Sequence, residues 1–453
     1  MNAAGFDRLI RALSDGPVSR RSLAKGLAGT TIATGLALHG LDDADARKRK
    51  GKKRKSKKRQ GNDRGNGGGN DGGNNGGGGN DGGGGGNECI FTICEGQCVD
   101  LDSDSNNCGA CGTPCPDDGV CIAGRCAVAI GSGGSGDGQL NRPLGVAVGA
   151  NGAGFAVDSN NDRVVRFDTE SFDGAFGAFG EEDGQFLTPV GVAVSPETGH
   201  IFVSDITRHR IQKFDAGGNF LLGFGNFGSG QGPFNQPLAL AIDPVTDQVF
   251  VLDSANNSIQ RLSANGFFFE RFGRRGDGEG EFNLPLGIAI DANRTIFVAD
   301  TSNHRIQVFD SQLEIQFAFG QQGSGNGQFA APTGITIGGN GNIFVVERDN
   351  HRVQEFTARG EFVRAFGGQG SGIGEFDGPF GIAIDGDGII TVADTNNDRV
   401  QLFFPASLAT KGGGLESRSG KRRAGKASSA ARASRIRRSP RGKNNGAGGH
   451  SDR

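Results

Sequence analysis

Six acidic side chains recur at near-constant spacing in this 453-residue chain: Asp158, Asp205, Asp253, Asp300, Glu347 and Asp394. Gathered in a ring, they could hold a cation. Paired with the Arg or His that follows in the same or a neighbouring unit, they would serve only local structure. The second reading is the expected one, because a residue repeated in every copy of a unit serves the unit. Glu347 breaks the series, being longer and followed by Arg348 and Asp349, so the repeat that holds it is expected to be the specialised one. His209, His304 and His351 share one position in three repeats. Metal ligation would need them to converge, and only two stand in consecutive repeats, so hydrogen-bonded loop structure is expected. The candidate binding set is Asp300, His304, Glu347, Arg348, Asp349 and His351, with no catalytic residue and no metal ligand assigned.

Two other patterns carry less. Gly131-Ser132-Gly133-Gly134-Ser135-Gly136 matches a dinucleotide-binding glycine pattern, but no helix follows to supply a phosphate-binding amino end. Asp100, Asp102 and Asp104 resemble the start of a calcium loop, yet Ser105 stands where the turn glycine belongs and Cys111 where the closing glutamate belongs. A solvated acidic turn is expected there.

The elements that position these residues follow from an internal period. A Gly-x-Phe/Leu element recurs at Gly138, Gly184, Gly232, Gly280, Gly327 and Gly374, at intervals of 46 to 48 residues, each followed shortly by a proline. Within the fourth copy, 287–291, 296–300, 305–310 and 315–320 are short runs of Ile, Val, Ala and Phe bounded by Asp, Asn and Gly. Such runs predict consecutive antiparallel hairpins. Four strands in a unit of this length predict a propeller blade, and six units predict an all-β ring.

Asp300-Thr301-Ser302-Asn303-His304-Arg305-Ile306-Gln307-Val308-Phe309 resembles the signature of NHL repeats. Asn350-His351-Arg352, His209-Arg210, Asn161-Asp162-Arg163 and Asn397-Asp398-Arg399 repeat it, while Asn256-Asn257-Ser258 lacks the arginine. The resemblance covers about residues 126–405 and implies a six-bladed NHL-type β-propeller. Copy six stops after its third strand, and residues 126–131 match a fourth strand. The ring is therefore expected to be closed by an amino-terminal strand, so that two edges are paired. Loops between second and third strands share a face with the long inter-blade loops. That face and the mouth of the central channel are where a ligand is expected.

All eight cysteines fall between Cys89 and Cys126: Cys89, Cys94, Cys98, Cys108, Cys111, Cys115, Cys121 and Cys126. An even count in a segment too small for its own core predicts a disulfide framework over 88–126, of unstated pairing. Zinc and Cys-x-x-Cys redox chemistry are the weaker readings. Upstream, Arg20-Arg21 precedes a short apolar run and then Ala44-Asp45-Ala46. Residues 1–46 resemble a twin-arginine signal peptide with cleavage at the small residues. An uncleaved anchor is the alternative, since 47–60 hold 11 Lys/Arg and no acid. Residues 47–87, basic and then Gly/Asn-rich, and the tail 406–453 are expected to be disordered.

The net charge of −2 conceals segregation: residues 127–405 hold 17 Lys/Arg against 33 Asp/Glu, and residues 411–453 hold 13 against 2. An acidic ring repels phosphate, so specific nucleic-acid binding is not expected. Residues 421–443 could still contact polyanions nonspecifically. The NHL resemblance includes the lyase that cleaves peptidyl-hydroxyglycine, whose catalytic tyrosine this chain, with no Tyr, cannot supply. Related six-bladed rings include metal-dependent lactonases, which would place a calcium at the channel mouth. The leading expectation is an exported, non-catalytic binding or scaffold protein without a cofactor. Its partner would be a protein, a peptide or a cell-envelope polymer.

Overall fold

The computed structural model describes residues 92–94, 97–115 and 119–409. Arg20, Arg21, Ala44, Ala46, Cys89 and residues 410–453 lie outside that set, as does the side chain of Cys98. Among the described residues no helix is long and apolar enough to cross a membrane.

Second strands such as Ile296–Asp300 are buried along their whole length, whereas fourth strands such as Ile315–Phe319 expose every other residue. A strand walled in on both faces needs an unbroken apolar run; an outer one needs only alternation. Blade four comprises Gly287–Ile290, Ile296–Asp300, Arg305–Phe309 and Ile315–Phe319, each antiparallel to the next. Blades one, two, three and five begin at Pro143–Val148, Pro189–Val194, Pro237–Ile242 and Pro332–Ile337 and repeat the same order. First strands line the channel and pack against one another. At Gly145 an added methyl group would press on the backbone of Val190–Val192 in the next blade, so the close approach of blades one and two requires glycine.

Blade six closes the ring as the repeat phase predicts. Ile382–Ile384, Ile390–Asp394 and Arg399–Pro405 are joined by Arg125–Ile130, in register from Val400 opposite Ile130 to Pro405 opposite Arg125. A fifth strand, Val120–Ile122, pairs outside it. The repeat period does not predict this strand, which covers the edge that the fourth strand would otherwise expose.

The fifth strand belongs to the cysteine-rich module. Among the described residues its disulfides join Cys94 to Cys111, Cys108 to Cys121 and Cys115 to Cys126. Cys108 and Cys111 are bonded to different partners, so they form no Cys-x-x-Cys pair. The sulfurs of Cys108, Cys115 and Cys126 lie within 4.8 Å of one another. All three are spent in disulfides, which leaves no thiolate among them for zinc. Asp100 accepts from the Asp102 N–H (3.0 Å) and the Ser103 hydroxyl (2.7 Å), and Asp104 from the Asn106 N–H (2.8 Å); these are local turns. Arg125 donates to the Gly388 carbonyl (2.9 Å) and Arg364 to that of Ala123 (2.6 Å), pinning the module to blades five and six.

Five of the six fourth strands end in Phe-Gly, and that of blade six in Ile130-Gly131; the glycine has a steric reason. Gly320 has φ +93°, and a methyl group there would overlap the buried ring of Phe329 from the following loop. Gly320→Ala therefore combines left-handed strain with overpacking and is expected to cost about 1–3 kcal/mol or more. Urea unfolding checks it, and an unchanged midpoint would count against this packing argument.

Candidate functional site

The second strand of each blade delivers its terminal carboxylate beneath the loop that follows. Asp300 is fully buried. It accepts from Asn303 Nδ2 (2.8 Å), Arg305 Nε (2.8 Å), Gln307 Nε2 (3.2 Å) and the Asn283 N–H (2.7 Å). Arg305 continues outward to the carbonyls of Gly278 and Glu281 in the preceding inter-blade loop (2.6 and 3.0 Å). Asp158, Glu347 and Asp394 repeat this with Arg163, Arg352 and Arg399 at 2.5 to 2.7 Å. Glu347 is thus buried in the same network despite its extra methylene. Burial raises the carboxyl pKa of Asp158, Asp205, Asp253 and Asp300, while hydrogen bonds from their neighbours pull it back. Outside the cysteines, no three His, Asp or Glu side chains among the described residues bring ligand atoms within 4.8 Å of one another.

Two parts of this network escaped sequence reasoning. Gln212, Gln260, Gln307, Gln354 and Gln401 are fully buried, and each accepts the N–H of the Gly-x-Phe glycine 27 or 28 residues earlier, at 2.8 to 3.0 Å. Blade three, which lacks the arginine at Ser258, recruits Arg271 from its fourth strand instead. Arg271 donates to Ser258 Oγ (2.8 Å) and to the Ser229 carbonyl (2.6 Å).

The histidines act at the seams between blades. His209, His304 and His351 have φ of 52 to 53°, and each Nδ1 accepts a backbone N–H from the next blade. The donors are Gln236 (3.0 Å), Ala331 (3.5 Å) and Gly378 (3.1 Å). Asn257 accepts from Leu284 and Asp398 from Arg142 in the same way, both at 2.8 Å. An imidazole that accepts at Nδ1 is neutral, with its proton on Nε2, and burial lowers the pKa of His209. A second latch runs from Ser159, Ser254, Thr301 and Thr395, whose hydroxyls donate to the proline carbonyl opening the next blade at 2.7 to 2.8 Å. Arg348 stands at that position in blade five and pairs instead with Asp349 (2.8 Å).

The channel mouth on this face is closed by carbon. The residues following the blade-opening prolines are Leu144, Val190, Leu238, Leu286 and Phe380. They pack with Ile206 and Leu284 into one cluster, each no more than 5% exposed. Thr333, the sixth in the ring, is buried and donates to the Phe380 carbonyl (2.9 Å). The mouth, where together with the long-loop face a ligand is expected, is an apolar plug.

The rim departs furthest from its own repeat at blade two. Ile206 replaces the latch hydroxyl. Arg208 replaces the asparagine found in the other five blades and pairs with Glu181 (3.0 Å). Arg210 stands 3.8 Å from Asp205, and Thr188 is not left-handed, unlike its five counterparts before proline. Glu181-Glu182-Asp183, all exposed, put three consecutive acids where the other inter-blade loops have a central glycine and at most two acids, as in Asp277-Gly278-Glu279. Phe179 and Phe227, at equivalent positions before and after this blade, are 74% and 69% exposed. Elsewhere that position holds Gly133, Arg275, Gln322 or Gln369. The Phe227 ring centroid lies 4.8 Å from that of His209. Glu181, Arg208, His209 and Phe227 are thus linked along this rim, and Phe179 stands two residues before Glu181 in the same loop. The signal was present in the loop sequences, but only a position-by-position comparison of the six loops shows it.

Residues 186–214, 282–309 and 329–356 match the family model of the NHL repeat. Those three segments of the ring are NHL repeats. No curated protein matches the sequence. Among solved structures, a streptogramin B lyase has 14% identity and a TM-score of 0.46, covering 61% of this chain and 96% of its own. A gluconolactonase of Xanthomonas campestris has 16% identity and a TM-score of 0.46, covering 62% and 89%. A chain of the nidogen/laminin complex has 17% identity and a TM-score of 0.40, covering 50% and 81%. Likeness this distant says nothing of this chain's chemistry.

One NHL seam is made differently. Between blades one and two, Thr188 turns its N–H to Asp205 (3.1 Å) and gives no latch to Asp162, the residue equivalent to His209. Burial first, and the charges of Asp205 and Asp158 second, push the Asp162 carboxyl up to about 7. A carboxyl that ionises near pH 4 when unfolded (~3.9) and near 7 when folded contributes stability that is full below pH 4. That contribution is lost as the pH rises through 7. Asp162→Asn, which cannot ionise, should raise the Tm at pH 8 by about 2–4 °C, corresponding to about 1 kcal/mol for a partly solvated group. At pH 4 it should leave the Tm unchanged; an equal shift at both pH values would refute the assignment.

Proposed function

We propose that this protein is an exported, non-catalytic binding protein that recognises a polypeptide on the long-loop face of the propeller, at the rim of blade two. One observation carries the reading. Blade two gives up the latch hydroxyl and the loop asparagine, and the same rim exposes Phe179, Phe227 and three acids. A repeat protein departs from its own rules where it has another task, and exposed aromatics beside charge are the chemistry of protein recognition. The disulfides fit an oxidising compartment.

A hydrolase of the metal-dependent lactonase type is less well supported. It would need carboxylates converging on the channel mouth, and the mouth is filled by Leu144, Val190, Leu238, Leu286 and Phe380. The candidates Asp300 and Glu347 lie buried in blade networks, and His304 and His351 lie in seams. Arg348 and Asp349 remain partly open and paired to each other.

Selection of a random peptide library on the full chain tests the site. Peptides recovered are expected to bind the Phe179→Ser/Phe227→Ser variant about 30-fold more weakly, the loss of about 2 kcal/mol typical of a central aromatic anchor. A control substitution at Gln322, the equivalent position after blade four, should leave binding unchanged. Equal binding by both variants would remove blade two as the site.

A further inference from the structure

The acids at the blade-two rim narrow the chemistry of its occupant. Glu181, Glu182 and Asp183 stand together and exposed, with Arg208 answering only one of them. Phe179 and Phe227 flank them as apolar contacts. The complementary ligand is a cationic segment carrying an aliphatic side chain. Residues 421–443 of this same chain hold ten Lys/Arg and no acid, and their one large aliphatic residue, Ile436, lies within Arg435-Ile436-Arg437-Arg438.

We propose that residues 421–443 dock on the blade-two rim of their own chain, Ile436 against the phenylalanines and the flanking arginines against residues 181–183. The proposal rests on the reading of that rim as a binding site and names its occupant. Reach permits it. Ile436 follows Ala409 by 27 residues, a span of up to about 90 Å when extended. A ring of about 280 residues is only about 50 Å across by the usual scaling of radius of gyration. Tethering also raises the effective concentration to about the millimolar range, so a contact too weak to form between molecules is occupied within one. Charge alone would spread the arm over the whole acidic ring. Apolar anchors at two adjacent loops, and no equivalent at the other four, select this rim. An occupied rim would be autoinhibited, and a partner would have to displace the arm.

Zero-length carbodiimide cross-linking of the full chain at high dilution, read by mass spectrometry, tests this. The expected products join Lys421, Lys426 or Lys443 to Glu181, Glu182 or Asp183 within one chain, at a yield independent of protein concentration. The Phe179→Ser/Phe227→Ser variant keeps every reactive group and should lower that yield at least fivefold. Products spread over Asp277, Glu279 and Glu375 as well, products formed only between chains, or an unchanged yield in the variant would each overturn the proposal. If no such product forms while library peptides still lose binding to the variant, the rim is a site with another occupant. If the variant also leaves peptide binding unchanged, the site reading itself fails.

Discussion

A buried carboxylate at the end of each second strand is the constraint on which the rest of this propeller depends. Burial of an ion is expensive unless every lone pair is answered. The chain answers with an asparagine, a guanidinium and a backbone N–H from the loop before the blade, as at Asp300. Because the guanidinium also holds that loop's carbonyls, one charge fixes the strand end, the turn after it and the long loop beside it. Glycine-rich loops, which have the most conformational freedom to lose, are tied down at these carbonyls.

Blades so built still have to be joined. Narrow residues such as Gly145 let first strands touch, and side chains in left-handed turns accept an N–H from the next blade. His209, Asn257, His304, His351 and Asp398 are interchangeable there because each offers one acceptor at the right reach. The apolar plug at the mouth follows from the same geometry, since the residue after each proline has only its ring-mates to face. A mouth closed in this way leaves no ring of carboxylates facing the channel there.

The rim is where the repeats stop being equivalent. Blade five looks exceptional in the sequence, yet Glu347 is absorbed by the usual network with Arg352 and Asn350. Blade two looks ordinary by its Asp, His and Arg, yet its asparagine and hydroxyl are gone and its flanking loops expose phenylalanine. Sequence reading attends to the residue that breaks a motif. The informative breaks lay in loop positions that belong to no motif and acquire meaning only beside Arg208 and His209.

The sequence by itself determined the number of blades, the four-strand order, the closing strand near residue 126 and the existence of a disulfide framework. These follow from local alternation, a period of 46 to 48 residues and cysteine density, all of which are legible along the chain without knowing which groups meet in space. Only the tertiary structure decided the rest: which described cysteines pair, that Val120–Ile122 adds a fifth strand to blade six, that Arg271 stands in for a missing arginine, that the mouth is plugged, and that Asp162 lacks its latch. Each of these depends on which groups from separate loops meet face to face: the Thr188 N–H turns to Asp205 where its five counterparts, of five different residue types, turn to the preceding blade.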